Sequence, residues 1–107
     1  AYNRTALAPG MIISNEPGYY RDNAYGIRCE NLVVVRAAEA DGETPVYQFE
    51  ALTLVPFDQR LLEVSLLTPA ERAWLDDYHQ RVQDCIGPLL QGAEREWLER
   101  ATRPLAA

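Results

Sequence analysis

The sequence predicts an α+β fold, in which antiparallel strands occupy the first half of the chain and helices the second half. Apolar and β-branched runs separated by turn residues extend from Met11 to Val55. Beyond Thr68, apolar residues recur instead at the spacing of a helix. Strands followed by a separate group of helices are typical of α+β proteins rather than of alternating βαβ units.

Three strands are predicted in the first half. The first begins at Met11 and ends at Glu16, because the following Pro-Gly pair cannot continue a ladder and favours a turn. The second covers residues 26–35, which end in a β-branched apolar run. Residues 37–44 are small and polar and predict a loop, and residues 46–55 predict the third strand.

Two helices are predicted in the second half. Thr68 and Glu71 form a capping-box pattern, and Pro69 suits the first helical position. The following apolar residues indicate one buried face, which comprises Leu75, Tyr78, Val82, Cys85 and Ile86. Gly87-Pro88 should end or kink this helix, and residues 93–101 predict a shorter second helix.

The bulk composition limits the classes of function. The 107 residues suit one ordinary domain or part of a larger one, and the net charge of −6 argues against binding to nucleic acid or to an anionic membrane. No apolar run approaches the roughly 20 residues of a membrane span. The chain begins at Ala1 without a methionine and enters an apolar strand pattern within a few residues. We therefore expect an excised fragment of a longer protein. We also expect that protein to be cytoplasmic.

The cysteines and tryptophans are expected to have structural roles. Cys29 and Cys85 belong to no metal or redox motif, so we expect two reduced thiols that are mostly buried, and a disulfide between them is the alternative. Trp74 and Trp97 lie in the predicted helices and are expected to anchor their core.

Two glutamates are unusual for their positions. Glu16 closes an apolar strand, and Glu30 lies inside one, two residues after Arg28 and therefore on the same strand face. If the two strands pair with Glu16 opposite Glu30, the midpoint of their connection is Asn23, inside the predicted turn. Opposed like charges are destabilising. A shared proton, Arg28 or a bound cation could offset them. Alternatively, Glu30 simply pairs with Arg28, and Glu16 is exposed without a role.

A family resemblance adds to this interpretation. Glu-Pro-Gly-Tyr-Tyr at residues 16–20 and Gly-Ile-Arg-Cys-Glu-Asn at residues 26–31 resemble the end of the catalytic domain of aminopeptidase P, a pita-bread metallopeptidase. Residues 49–56 and 67–104 resemble the family's following segments. The resemblance implies that residues 1–57 end the pita-bread domain and that residues 58–107 form a helical C-terminal extension.

The resemblance also implies roles for individual residues. In that family, two Asp, one His and two Glu hold two divalent metal ions. Glu16 matches a ligand of one metal that can also handle a proton, and Glu30 matches the bridging ligand. Arg28 matches an arginine that supports the active-site network, and Tyr20 matches a tyrosine whose hydroxyl can bond there. Mn²⁺ is the expected ion, with Zn²⁺ and Co²⁺ as alternatives.

The implied activity is removal of the N-terminal residue that precedes proline in a peptide. The two Asp and the metal-binding His lie upstream in the family and are absent here. The single histidine, His79, is interpreted as an ordinary helix residue. We therefore expect the fragment alone to be inactive and metal-free. Prolidase activity, or a non-catalytic binding or dimerisation module, are the alternatives, and a homodimer is a further expectation.

Overall fold

The computed structural model describes residues 3–106, which form two compact units that meet between Thr53 and Leu54. The first unit is built from antiparallel strands. Its elements within the described residues are β1 (Ile12–Asn15), β2 (Gly18–Arg21), β3 (Tyr25–Arg28), β4 (Asn31–Ala38) and β5 (Val46–Ala51). The strands precede both helices that the structure describes, as the predicted α+β class requires, and that class is confirmed.

The first four strands form one long interrupted hairpin. β1 pairs with β4, and β2 pairs with β3. Asn15 lies opposite Asn31 in the first pair and Gly18 lies opposite Arg28 in the second, so both pairs keep the same register. The turn is centred on Asn23, whose φ of 55° lies in the left-handed region that asparagine tolerates better than most residues.

Two strand predictions were wrong where the hairpin is interrupted. We predicted that the first strand ends before Pro17 and that residues 26–35 form one strand, whereas β2 resumes after Pro17 and the second strand is split at Cys29. Pro17 has no N–H to donate, and its carbonyl accepts the single bond from the Cys29 amide at 3.0 Å. The chain therefore continues in the same register without a regular ladder at this point.

β4 is the central strand of the three-stranded sheet, in the order β1-β4-β5. It supplies the buried residues of this unit, which are Asn31, Val33, Val34 and Val35. β5 ends at Ala51 rather than at residue 55 as predicted. The Thr53 amide bonds to the Asn31 side chain at 3.1 Å, and the Thr53 hydroxyl accepts from the Leu32 amide at 3.0 Å. These side-chain bonds replace the backbone ladder and end the strand.

The second unit contains the helices. α1 (Pro69–Ile86) and α2 (Gly92–Ala101) match the predicted helices, and short 3₁₀ turns cover Gln59–Leu61, Val64–Leu66 and Gly87–Leu89. The predicted capping box is confirmed: the Thr68 hydroxyl accepts from the Glu71 amide, and the Glu71 carboxylate accepts from the Thr68 amide. The helix ends where Gly87 and Pro88 begin a 3₁₀ turn, as predicted.

The buried apolar side chains of the second unit come from both helices and comprise Leu75, Tyr78, Val82 and Leu98. Burial was wrongly expected for both tryptophans and both cysteines.

Trp74 and Trp97 are not core anchors, since they expose 56% and 54% of their surface. Cys29 and Cys85 are free thiols as expected, but both are exposed rather than buried. Cys85 lies at the margin of the buried face of α1, where helical periodicity alone does not distinguish it from the core. No helix in the described part of the chain is long and apolar enough to cross a membrane.

The extended segment before α1 is held by two neighbouring helix side chains. The Tyr78 hydroxyl donates to the Val55 carbonyl at 2.9 Å, and His79 Nε2 accepts from the Phe57 amide at 3.0 Å. His79 is completely buried, so it is more than the ordinary helix residue that the sequence indicated. Its acceptor role satisfies a backbone N–H that the extended segment cannot pair in a ladder.

Candidate functional site

Glu16 and Glu30 occupy directly opposed positions on the hairpin. The pairs on either side, Asn15 with Asn31 and Gly18 with Arg28, keep one register, and in that register residue 16 faces residue 30. This is the register that the sequence analysis considered as one possibility. Directly opposed residues of a hairpin project from the same face, and both carboxylates lie against one side chain, Arg28.

Arg28 contacts both carboxylates. Its Nε lies 3.0 Å from Glu30 Oε2, and its Nη1 lies 3.8 Å from Glu16 Oε2. The Glu30 carboxylate is the largest of the causes that raise the pKa of Arg28 above its ordinary value, followed by the Tyr20 hydroxyl and, with a smaller effect, by Glu16. The sequence left three ways to offset the two like charges: a shared proton, Arg28 or a bound cation. The structure shows Arg28 against both carboxylates.

Ser14 contacts the other oxygen of Glu16. The Ser14 hydroxyl donates to Glu16 Oε1 at 2.6 Å, whereas Oε2 is the atom that faces Arg28. Sequence reasoning missed this residue. The available signal was spacing, because residues 14 and 16 share a strand face. The two oxygens of Glu16 therefore have different neighbours, Ser14 for Oε1 and Arg28 for Oε2.

Tyr20 lies over two glycines of the same face. A Cβ atom at Gly18 would come within 2.8 Å of the Tyr20 hydroxyl oxygen, and one at Gly26 within 2.8 Å of its ring. Real Cβ atoms essentially never approach so closely, so both positions require glycine if Tyr20 is to keep this orientation. The ring thereby lies flat along the hairpin, with its hydroxyl near Arg28.

The arrangement is open to solvent and supplies only part of a metal site. The side chains of Glu16 and Glu30 each expose 42% of their surface. Within residues 3–106, no group of three or more His, Cys, Asp or Glu side chains could hold a metal ion. His79 belongs to the second unit, and its Nε2 already accepts from Phe57. Two adjacent carboxylates nevertheless offer the oxygen ligands that divalent ions such as Mn²⁺ bind.

Comparison with protein families gives two matches that together span most of the chain. Residues 45–105 match a family model described as the C-terminal region of peptidase_M24. Residues 1–37, which contain the opposed glutamates, match the model of metallopeptidase family M24.

Individual relatives agree with these matches. A probable Xaa-Pro aminopeptidase P from Coprinopsis cinerea is 47% identical over 98% of the chain, and aminopeptidase P2 from Arabidopsis thaliana is 48% identical over 97%. The chain spans only 18% and 15% of the lengths of these two proteins. A crystal structure of a Caenorhabditis elegans X-prolyl aminopeptidase, described as a cytosolic enzyme with a di-nuclear active site, matches with a TM-score of 0.80 at 34% identity. That match covers 92% of this chain and 17% of the other.

Proposed function

The chain belongs to metallopeptidase family M24, and we propose that it is the C-terminal part of a dinuclear-metal Xaa-Pro aminopeptidase. The observation that carries this proposal is the opposed placement of Glu16 and Glu30 beside Arg28. The relatives named Xaa-Pro aminopeptidase P and the di-nuclear site of the nematode enzyme support it. Because the chain spans less than a fifth of these relatives, the activity is assigned to a full-length protein that contains it.

Glu30 and Glu16 are the proposed metal ligands. Both side chains would hold the ions, Glu30 as the ligand shared by the two and Glu16 as a ligand of one that can also take up or release a proton at its carboxylate. The donor chemistry fits, since carboxylate oxygens suit hard or borderline divalent ions and Mn²⁺ is the ion we propose. When bound, such ions lower the pKa of water enough to supply a nucleophile near neutral pH. The remaining ligands would come from upstream residues of the full-length protein.

Arg28, Tyr20 and Ser14 would hold the two carboxylates in place. Arg28 lies against both of them, and the Tyr20 hydroxyl lies near the guanidinium. Ser14 donates to the Glu16 oxygen that Arg28 does not face. Partners of this kind orient ligands, and their loss typically costs about 10- to 100-fold in metal affinity or activity.

The proposal also covers the substrates, the location, the oligomeric state and the domain boundaries of the full-length protein. We propose that the substrates are peptides with proline in the second position, that the protein is cytoplasmic, and that it forms a homodimer. The cytosolic nematode enzyme supports the location, and the net charge of −6 speaks against nucleic acid and anionic membranes as partners. We also propose that residues 1–57 end the catalytic domain and that residues 58–107 form its extension.

The test is an assay of the full-length protein for Mn²⁺-dependent release of the first residue from an Xaa-Pro-Xaa tripeptide. Glu16→Ala and Glu30→Ala should each reduce the activity to background, because each removes a metal ligand. Arg28→Lys should reduce kcat/KM by about 10- to 100-fold, because lysine cannot reproduce the fork of the guanidinium. Glu39→Ala, which changes an exposed loop glutamate, is the control and should leave the rate unchanged.

Two outcomes would contradict the proposal. If activity survives Glu16→Ala or Glu30→Ala, that residue is not a ligand. If the full-length protein with added metal is inactive, a non-catalytic binding module becomes the better explanation. The 107-residue chain alone should show no peptidase activity, since the structure offers no third metal-binding side chain within residues 3–106.

A further inference from the structure

A cleft in the second unit has no part in the proposed chemistry. It has a volume of about 630 Å³ and lies between the segment that follows β5 and the end of α2. Its apolar lining includes Pro56, Trp97 and Pro104, and its charged lining consists of Asp58, Arg60, Arg100 and Arg103. All of these residues belong to the same compact unit. The volume falls in the range that ligand sites usually occupy.

Positive charge in this cleft is only partly compensated. Asp58 is bound by Arg60 through several contacts, the shortest of which is 2.6 Å, and this pairing lowers the pKa of Asp58 to about 2. Asp58 therefore remains ionised and neutralises Arg60 at physiological pH. Within the described residues, the Arg100 guanidinium has no hydrogen bond or ion pair, and Arg103 donates only to the Arg100 carbonyl, at 3.2 Å. Two cationic side chains are thus available in a protein whose net charge is −6.

The apolar lining narrows the kind of ligand. Trp97 exposes 54% of its surface, although helical spacing suggested a core position. Grooves lined by aromatic side chains bind extended proline-containing peptides, and Trp97 supplies an aromatic lining here. A small inorganic anion would neutralise the arginines but leave this lining uncovered. An extended peptide can contact both parts of the cleft.

We propose that this cleft binds an acidic peptide segment, with its carboxylates on Arg100 and Arg103 and an apolar ring against Trp97. Arginine recognises carboxylates through paired N–H donors, which gives the interaction its specificity. Exposed ion pairs contribute little individually, so the arginines and the indole must act together. The proposal is independent of the metal site and does not require peptidase activity.

The experiment uses the fluorescence of Trp97. The measurement is made on the 107-residue chain, which has two tryptophans, so in this chain Trp74→Phe leaves Trp97 as the single indole. Phenylalanine can retain the stacking of Trp74 on Tyr78. The probe is an N-acetylated hexapeptide of alternating glutamate and proline. It should change the Trp97 emission saturably, whereas the matched hexapeptide of glutamine and proline should bind at least about fivefold more weakly.

Arginine variants test where the peptide binds. In the Trp74→Phe background, Arg100→Gln/Arg103→Gln should raise the Kd of the acidic peptide at least about fivefold. Arg21→Gln/Arg95→Gln removes the same charge from residues outside the cleft lining and should leave the Kd unchanged. Arg100→Gln alone keeps the bond from Arg103 to the backbone carbonyl and should give an intermediate Kd, even if the double variant is less stable. Equal binding of both peptides, equal weakening by the control pair, or the lack of a saturable signal would overturn the proposal.

Discussion

The two units of this chain differ in where they place their polar and charged groups. In the first unit, burial is concentrated in β4, while the hairpin carries the half-exposed charges of Glu16, Glu30 and Arg28. In the second unit, a polar side chain is fully buried, since His79 is inaccessible to solvent and its Nε2 accepts from a backbone amide. The polar groups at these two places have different partners: ion pairs in the first unit and a backbone amide in the second.

The two kinds of polar contact differ in how much their loss should cost in free energy of unfolding. Exposed ion pairs contribute little to the free energy of unfolding, so Glu16, Glu30 and Arg28 can exchange partners at low cost. A buried hydrogen bond cannot be exchanged, because an unpaired buried amide costs about 1–3 kcal/mol. We therefore expect substitutions of the charged side chains on the hairpin to change the free energy of unfolding less than substitutions of the buried side chains in the helical unit.

The largest effect is expected for Leu98→Ala. Leu98 exposes only 2% of its surface, and deleting a buried leucine side chain costs about 2–5 kcal/mol through lost burial and a residual cavity. Urea unfolding followed by tryptophan fluorescence measures this change. Both tryptophans, Trp74 and Trp97, lie in the second unit, so the signal reports on that unit.

Leu66→Ala is the matched control for this measurement. Leu66 lies in the same unit but exposes 80% of its surface, so its removal should change the free energy of unfolding by no more than about 0.5 kcal/mol. Equal destabilisation by the two substitutions would mean that the second unit has no core of its own.

An intermediate effect is expected for His79→Leu. Leucine has a similar volume but no acceptor, so the Phe57 amide loses its partner, at a cost of about 1–3 kcal/mol at pH 7.5. Gln80→Leu, at the exposed neighbouring position, is the control and should have a much smaller effect. The same urea titration measures both variants.

His79 also predicts the direction of the pH dependence. Burial lowers the pKa of His79 below its ordinary value, an effect that Asp76 partly opposes. The unfolded chain therefore binds a proton at higher pH than the folded chain. The stabilisation is complete above the unfolded pKa of about 6.5 and is lost as the pH falls toward the lower folded value. The free energy of unfolding of the wild-type chain should decrease from pH 7.5 to pH 5.5. His79→Leu should remove the part of this decrease that comes from protonation of His79.

The sequence was sufficient for those parts of the fold that depend on local patterns. The capping box at Thr68 was predicted correctly. The register that places Glu16 opposite Glu30 was considered as one possibility, and the turn centred on Asn23 sets that register in the structure. The roles of the two glutamates as metal ligands remain predictions.

Features that depend on distant contacts could not be predicted. The early end of β5 depends on bonds between Thr53 and Asn31, which are 22 residues apart. The exposure of Trp97 and the burial of His79 were also missed, because periodicity identifies a helix face but not what covers it.

The smallest effect is expected for Arg28→Gln. The Arg28 side chain is half exposed, so its ion pairs with Glu16 and Glu30 are screened by solvent, and their loss should leave the hairpin almost as stable as before. Hydrogen exchange of the Cys29 amide, which bonds to the Pro17 carbonyl beside the site, measures this stability. The rate should stay close to the wild-type value, whereas Val35→Ala, which removes a fully buried side chain from β4, should accelerate exchange across the sheet. If Arg28→Gln accelerates the exchange as strongly as Val35→Ala, the arginine is a structural element of the first unit. The contrast between an exchangeable charged face and a fixed helical core would then be wrong.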